Sequence, residues 1–234
     1  MVDNVNTECK GTDISLASDL FKDRLFGPKD WKNKFGANIS EEDKNMAREI
    51  PWPIDVLIAK CPFEKEDEQK RICDTHFLFW SKKEFVFGDY NKVSILTNLE
   101  NWTKMFNKYI SFDFGKKEII NSNFIGETIT DGWNLIPVNT DKWFLEKNLL
   151  QQLFIIPEQY ALASVIQETL FSILLTKNGT RNQNPISKRC FDIDNNGFGR
   201  VVYFKIGKGV IIGQEGIKER SKYLSLAIHR KKFK

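Results

Sequence analysis

The chain offers few groups for catalysis. It has only two histidines, His76 and His229, so few bases are at hand to activate a serine or cysteine. No G-x-S-x-G, H-E-x-x-H or Walker A pattern occurs, and Gly207-Lys-Gly209 lacks the remainder of a phosphate-binding loop. Its four cysteines, Cys9, Cys61, Cys73 and Cys190, have no framework spacing. That argues against a disulfide scaffold and for free thiols in a reducing compartment.

Long apolar runs are also missing. The stretches 149–156 and 162–175 are interrupted by Gln, Glu, Ser or Pro and fall short of the roughly 20 residues that span a bilayer. Residues 1–9 are polar and acidic, without the basic start and apolar centre of a secretory signal. The expectation is a cytoplasmic chain that does not insert into a membrane, whose Asn-x-Ser/Thr matches at Asn38, Asn101 and Asn178 are coincidental. No metal or cofactor is expected.

Core-forming residues are plentiful. The 234 residues include 19 Phe and 6 Trp, and 41% are hydrophobic against 28% charged, which excludes a disordered chain. Charge is uneven. Residues 1–80 carry 12 Lys and Arg against 16 Asp and Glu, a net of −4, whereas residues 177–234 carry 14 against 4, a net of +10. A basic C-terminal quarter suits an anionic partner.

The patterning predicts an α+β fold: a helical N-terminal region, short strands, and one long buried helix packed on a C-terminal antiparallel meander. Helical spacing begins at 13–21, and Ser40-Glu-Glu-Asp43 reads as a capped helix start. Prolines 51 and 53 break the pattern, after which 54–61 reads as a buried strand, followed by an aromatic strand at 75–80 and short strand or loop candidates at 85–90 and 93–96. Residues 99–109 and 143–154 carry helical spacing, and 133–137 reads as a strand. The long helix is predicted over 158–177, one side lined by Leu162, Val165, Ile166, Thr169, Leu170, Ile173 and Leu174, with Asn178-Gly179 as its stop. Segments starting at Lys188, Arg200, Gly209 and Leu224 supply four strands. Residues 1–234 are read as one unit. If it subdivides, an acidic helical and strand region, 1–115, and a helix with a basic sheet, 133–234, meet in the glycine-containing stretch 110–132.

Several constellations have to be weighed against ordinary structural roles. Asp192-Ile-Asp194-Asn-Asn196-Gly197 matches the first half of a calcium loop, but Tyr203 stands where the bidentate carboxylate belongs, so a tight turn is the better reading. Cys73-x2-His76 with Cys61 supplies three soft ligands and no second close pair, so buried thiols are expected instead of zinc. Dyads of Cys73 with His229 or Cys190 with His76 would have to be made in space. Glu168 sits among apolar neighbours that would raise its pKa, or it lies on the exposed or boundary side of its helix or pairs with an arginine such as Arg189.

The segment Tyr160 to Arg230, with Val165-Ile-Gln-Glu-Thr-Leu170, Arg189-Cys-Phe-Asp-Ile-Asp-Asn-Asn-Gly197 and Leu224-Ser-Leu-Ala-Ile-His-Arg230, resembles a group of bacterial hypothetical proteins without an assigned activity. Ile50-Pro-Trp-Pro-Ile-Asp-Val-Leu-Ile58 and Phe77-Leu-Phe-Trp80 are similar to their N-terminal half. The resemblance implies one continuous architecture and brings no catalytic residue.

Function is therefore expected from surfaces. The leading expectation is a non-catalytic binding or accessory protein that works through protein–protein contacts, with another protein or a second copy. The alternative is nucleic-acid binding by Lys218, Arg220, Lys222, Arg230, Lys231 and Lys232, with Tyr203, Phe204 and Tyr223 as stacking platforms. A small enzyme, the third reading, needs Glu168, Arg189 and one of Cys73, Cys190 or His229 in one pocket.

Overall fold

The computed structural model describes residues 11–65, 67–87, 90–93, 131–177, 187–193, 198–205, 209–216 and 218–232. The expected helix at 99–109, residues 110–130 of the boundary stretch, the Asn178-Gly179 stop and the turn 194–197 lie outside them.

Strand β1 (Thr12–Asp13) leads into the helix Ile14–Phe21, capped by the Asp13 carboxylate, and then a 3-10 turn, Lys22–Arg24. Strand β2 (Leu25–Phe26), the helix Pro28–Phe35, β3 (Ala37–Asn38), the helix Glu41–Met46 and β4 (Glu49–Ile50) follow. Ser40 caps Glu41–Met46 as its sequence predicts, its hydroxyl accepting from Asp43 N while the Asp43 carboxylate accepts from Ser40 N. One-turn helices at Ile54–Ile58 and Ile72–Thr75 precede β5 (His76–Ser81), β6 (Phe85–Phe87) and β7 (Tyr90–Val93). Next come β8 (Gly132–Pro137), the helices Asp141–Phe144 and Leu149–Phe154, β9 (Tyr160–Leu162) and the helix Val165–Lys177. The chain continues through β10 (Ser187–Ile193), β11 (Phe198–Lys205), β12 (Gly209–Gly216), β13 (Leu224–Leu226) and β14 (Ile228–Arg230). The class is α+β.

Two sheets enclose the helix Val165–Lys177. On one side β10, β11 and β12 pack against it, in a sheet of order β12-β11-β10-β13. On the other, Phe171 lies against Phe77 and Phe79 of β5, in the sheet β2-β5-β8, and Gln167 Nε2 donates to Asn134 Oδ1 of β8. All residues from Val165 to Leu175 except Gln167 are buried. The one-sided apolar stripe expected from sequence is thus corrected: a helix that is apolar nearly all round is covered nearly all round.

Its start is also corrected, from 158 to Val165. Ser164 Oγ accepts from Gln167 N, and Gln167 Oε1 accepts from Ser164 N, a reciprocal cap that fixes the first turn there. The residues before it pair instead, β9 lying antiparallel to β14 with Tyr160 opposite Arg230. Residues 54–61 are not a strand. Pro53 O accepts from Val56 N and Leu57 N to close a short helix, and Ile54 and Ile58 stay exposed. The helix expected over 143–154 is split at Glu146, whose positive φ of 61° interrupts it, and it restarts behind the reciprocal cap of Asn148 with Gln151. The C-terminal meander holds for β10, β11 and β12. Strand β13 departs from it, lying parallel to β10 on the edge away from β11.

Truncation of Phe171 would remove contacts with both Phe77 and Phe79. We expect Phe171→Ala to lower the unfolding free energy by about 3–5 kcal/mol, measured by urea titration.

Candidate protein-binding surface

The helix Leu149–Phe154 has two apolar sides and buries only one. Leu149 and Gln152 face inward, whereas Leu150, Leu153 and Phe154 share the outer face at i, i+3, i+4 spacing. Leu150 is 77% exposed and Phe154 91%. Scattered surface leucines need no explanation, but an outward stripe on one helix does.

Beneath this helix lies a buried polar clamp. Gln152 Nε2 donates to Phe144 O at 2.6 Å and to Leu224 O at 3.0 Å, while its Oε1 accepts from Arg189 Nη1 at 3.0 Å. Both amide protons and the carbonyl are used, which fixes which way the amide points. Arg189 Nη1 also donates to Lys147 O, and Nη2 donates to Gly216 O and Glu219 O at 3.2 and 2.6 Å. A single guanidinium thereby joins the residues before the helix to the loop after β12, and Glu146 N donates to Ser221 O beside it. That loop exposes Lys218, Arg220 and Lys222, with the Lys222 ammonium over the Tyr223 ring.

The other nominated residues are elsewhere. Arg230 is buried at 9% exposure, so it is not the surface phosphate contact that its sequence context predicts. Lys231 and Lys232 follow β14, where Trp52 Nε1 donates to Lys231 O and Lys232 Nζ to Asp131 O. Of the six basic residues, three line the loop before β13, two follow β14 and one, Arg230, is internal.

The enzyme constellation does not assemble. Arg189 and Cys190 project from opposite faces of β10; Cys190 belongs to the main core together with Leu170 and Leu174, while Arg189 turns toward Gln152. The Glu168 carboxylate accepts from Ser172 Oγ within its own helix. Burial, with Asp74 next, raises the Cys73 thiol pKa, which opposes thiolate formation. Both His76 nitrogens are occupied, by Thr75 and Tyr160, leaving neither for Cys190 or a metal. Among the described residues no group of three or more His, Cys, Asp or Glu could hold a metal ion, and no helix is long and apolar enough to cross a membrane. A cleft of about 260 Å³ is lined by Asp23, Arg24, Glu64, Lys70, Asp74 and Thr75 among others. Its carboxylates are paired, Asp23 with Arg24, Glu64 with Lys70 and with Lys142, and Asp74 with Arg71.

Comparison with protein-family models, curated proteins and solved structures gave no match. The sequence did carry a signal for the helix surface. Asn148-x-x-Gln151 marks a helix start, and the six residues after Asn148 hold four large apolar side chains, more than one inward face of that length can bury.

Removing the Arg189 guanidinium leaves Lys147 O, Gly216 O, Glu219 O and Gln152 Oε1 short of a donor. Arg189→Met should cost about 3 kcal/mol or more. It should also speed tryptic cleavage after Lys218, Arg220 and Lys222 in native buffer, read by mass spectrometry.

Proposed function

We propose that the chain is a non-catalytic binding protein whose helix Leu149–Phe154 enters an apolar groove on a partner protein. The observation that carries this reading is the outward stripe of Leu150, Leu153 and Phe154. A convex helix with i, i+3, i+4 anchors is complementary to a groove, and each such side chain yields about 1.5–3 kcal/mol when fully buried. The neighbouring loop gives the partner its second property. Lys218, Arg220 and Lys222 stand exposed beside a helix whose outer face is uncharged, so an acidic rim on the groove is favoured and speeds encounter.

Photo-crosslinking in cells tests this. The full chain with p-benzoylphenylalanine in place of Leu150 should give a discrete protein adduct, lost when Phe154→Glu is added and absent when the photo-residue replaces the exposed Asn33. An adduct with a second copy would identify the partner as the chain itself. Absence of any discrete protein adduct would sink the reading. Against the purified partner, Phe154→Glu should weaken binding at least tenfold while changing stability by no more than about 0.5 kcal/mol.

Nucleic-acid binding is the second reading, favoured by Tyr223, half-exposed beside Lys218, Arg220 and Lys222. Three cations at one place limit the salt dependence. The slope of log K against log salt for labelled DNA should be no steeper than about −3, checked by anisotropy.

A further inference from the structure

His76 opens β5 and is fully buried. Its Nε2 lies 2.8 Å from the Tyr160 hydroxyl and its Nδ1 3.0 Å from Thr75 Oγ1. Arg230 Nη1 reaches the same Tyr160 hydroxyl at 3.4 Å, with the guanidinium over the tyrosine ring. These contacts have one consistent direction. An arginine only donates, so the Tyr160 oxygen accepts from Arg230 and gives its own proton to His76 Nε2. His76 Nδ1–H then donates to Thr75 Oγ1, whose hydroxyl donates to the carbonyls of Arg71 and Ile72 at 3.0 and 3.3 Å.

The chain of bonds is satisfied only while His76 is neutral. A proton on Nε2 would leave the Tyr160 hydroxyl without an acceptor and set a second cation near Arg230. The groups facing the imidazole are Arg230 from β14, Tyr160 from β9, Phe63 from the loop after Ile54–Ile58 and Pro137 across β8. Thr75, Asp74 and Cys73 come from the preceding turn. Asp74 accepts from Arg71 N, Nε and Nη2, and Cys61 acts on Tyr160. Burial first, then the Arg230 cation, push the His76 pKa down to about 3; burial raises that of Tyr160.

Tyr160 belongs to a small core of its own with Cys61, Phe63, Phe144, Leu149, Leu226 and Ile228. Cys73 and Cys190 belong to the main core. Leu149 makes the small core the underside of the exposed helix.

We propose that Arg230, Tyr160, His76 and Thr75 form an acid-released latch: when His76 takes a proton, the small core opens from the main core and the helix Leu149–Phe154 loses its base. The regulatory consequence rests on the reading of that helix as a binding surface; the latch itself does not. The sign follows from linkage. An opened His76 titrates near its ordinary 6.5 and a latched one near 3, so the open form binds the extra proton between those values. Latching is at full strength above about pH 6.5 and weakens about tenfold for each pH unit below it, down to about 3.

The test is thiol labelling of the full chain carrying Cys9→Ser, with 4,4′-dithiodipyridine from pH 7.5 to pH 4. Rates are divided by those of the same chain in urea, and sites are assigned by mass spectrometry. The Cys61 rate should rise about tenfold per pH unit below 6.5 while Cys73 and Cys190 lag behind. His76→Gln should abolish the slope. His229→Gln should leave it, although burial lowers the pKa of His229 as well. A flat Cys61 rate, a parallel rise at all three thiols, or a slope removed by His229→Gln alone would each overturn the latch. The wild-type comparison of the three thiols decides the matter even where His76→Gln does not fold. Because no partner is used, failure here leaves the binding surface standing, and failure of the crosslinking leaves the latch standing.

Discussion

A helix that is apolar on nearly every side cannot rest on one sheet, and this constraint organises the rest of the fold. Val165–Lys177 has to be covered from two directions. One cover is the sheet of β10, β11 and β12, which follows it in sequence. The other is β5 with β8, which precedes it by long stretches of chain, so Phe77 and Phe79 meet Phe171 across about 90 residues of sequence. The N-terminal strands and the C-terminal sheet consequently share one core cluster through the helix between them. Some of its polar groups bond within the helix, the Glu168 carboxylate accepting from Ser172 Oγ and Thr176 Oγ1 donating back to Ser172 O, while Gln167 reaches across to Asn134 of β8.

Local chemistry made much of this legible from sequence. Strands β5 and β8 are dense in aromatic and aliphatic residues, and Ser40-Glu-Glu-Asp43 carries its own cap, so each reads correctly without tertiary information. Where the reading failed, local signals competed. Residues 158–177 are continuous in helical spacing, yet the Ser164-x-x-Gln167 box lies inside them and overrides the extrapolation back to Glu158. Residues 54–61 look like a buried strand because Ile54, Val56, Leu57 and Ile58 are aliphatic, but Pro53 supplies the acceptor that closes a helical turn. The parallel placement of β13 had no local signal. It depends on the loop after β12 being fastened across the sheet by Arg189, a contact between distant residues that no window of sequence contains.

The candidate surface was only half legible, for a reason specific to short helices. Periodicity states that Leu150, Leu153 and Phe154 share a face, and it is silent on whether that face looks in or out. Burial of Gln152 in preference to these apolar neighbours settles the direction. Its amide bridges Phe144 O, Leu224 O and Arg189, and turning the helix over would bury the stripe while losing all three bonds.

The same reasoning changes what the basic C-terminal quarter means. Its net of +10 suggests an anion-binding face, but two of its arginines are internal. Arg189 holds the surface together from below, and Arg230 holds Tyr160 against His76. Arg189 acts as a multi-donor hub for neutral oxygens, a role that the N–H groups on one planar cation perform better than any ammonium, whereas Arg230 gives Nη1 to the Tyr160 hydroxyl. Buried cations of this kind contribute position, not surface potential. Beside the exposed helix Lys218, Arg220 and Lys222 share the surface with the exposed carboxylates of Glu146 and Glu219, a modest cationic excess that would bias the choice of a groove rim in the proposed binding. In the proposed reading specificity comes from the fit of Leu150, Leu153 and Phe154, on the helix that Arg189 and Gln152 hold in place, more than from the net charge.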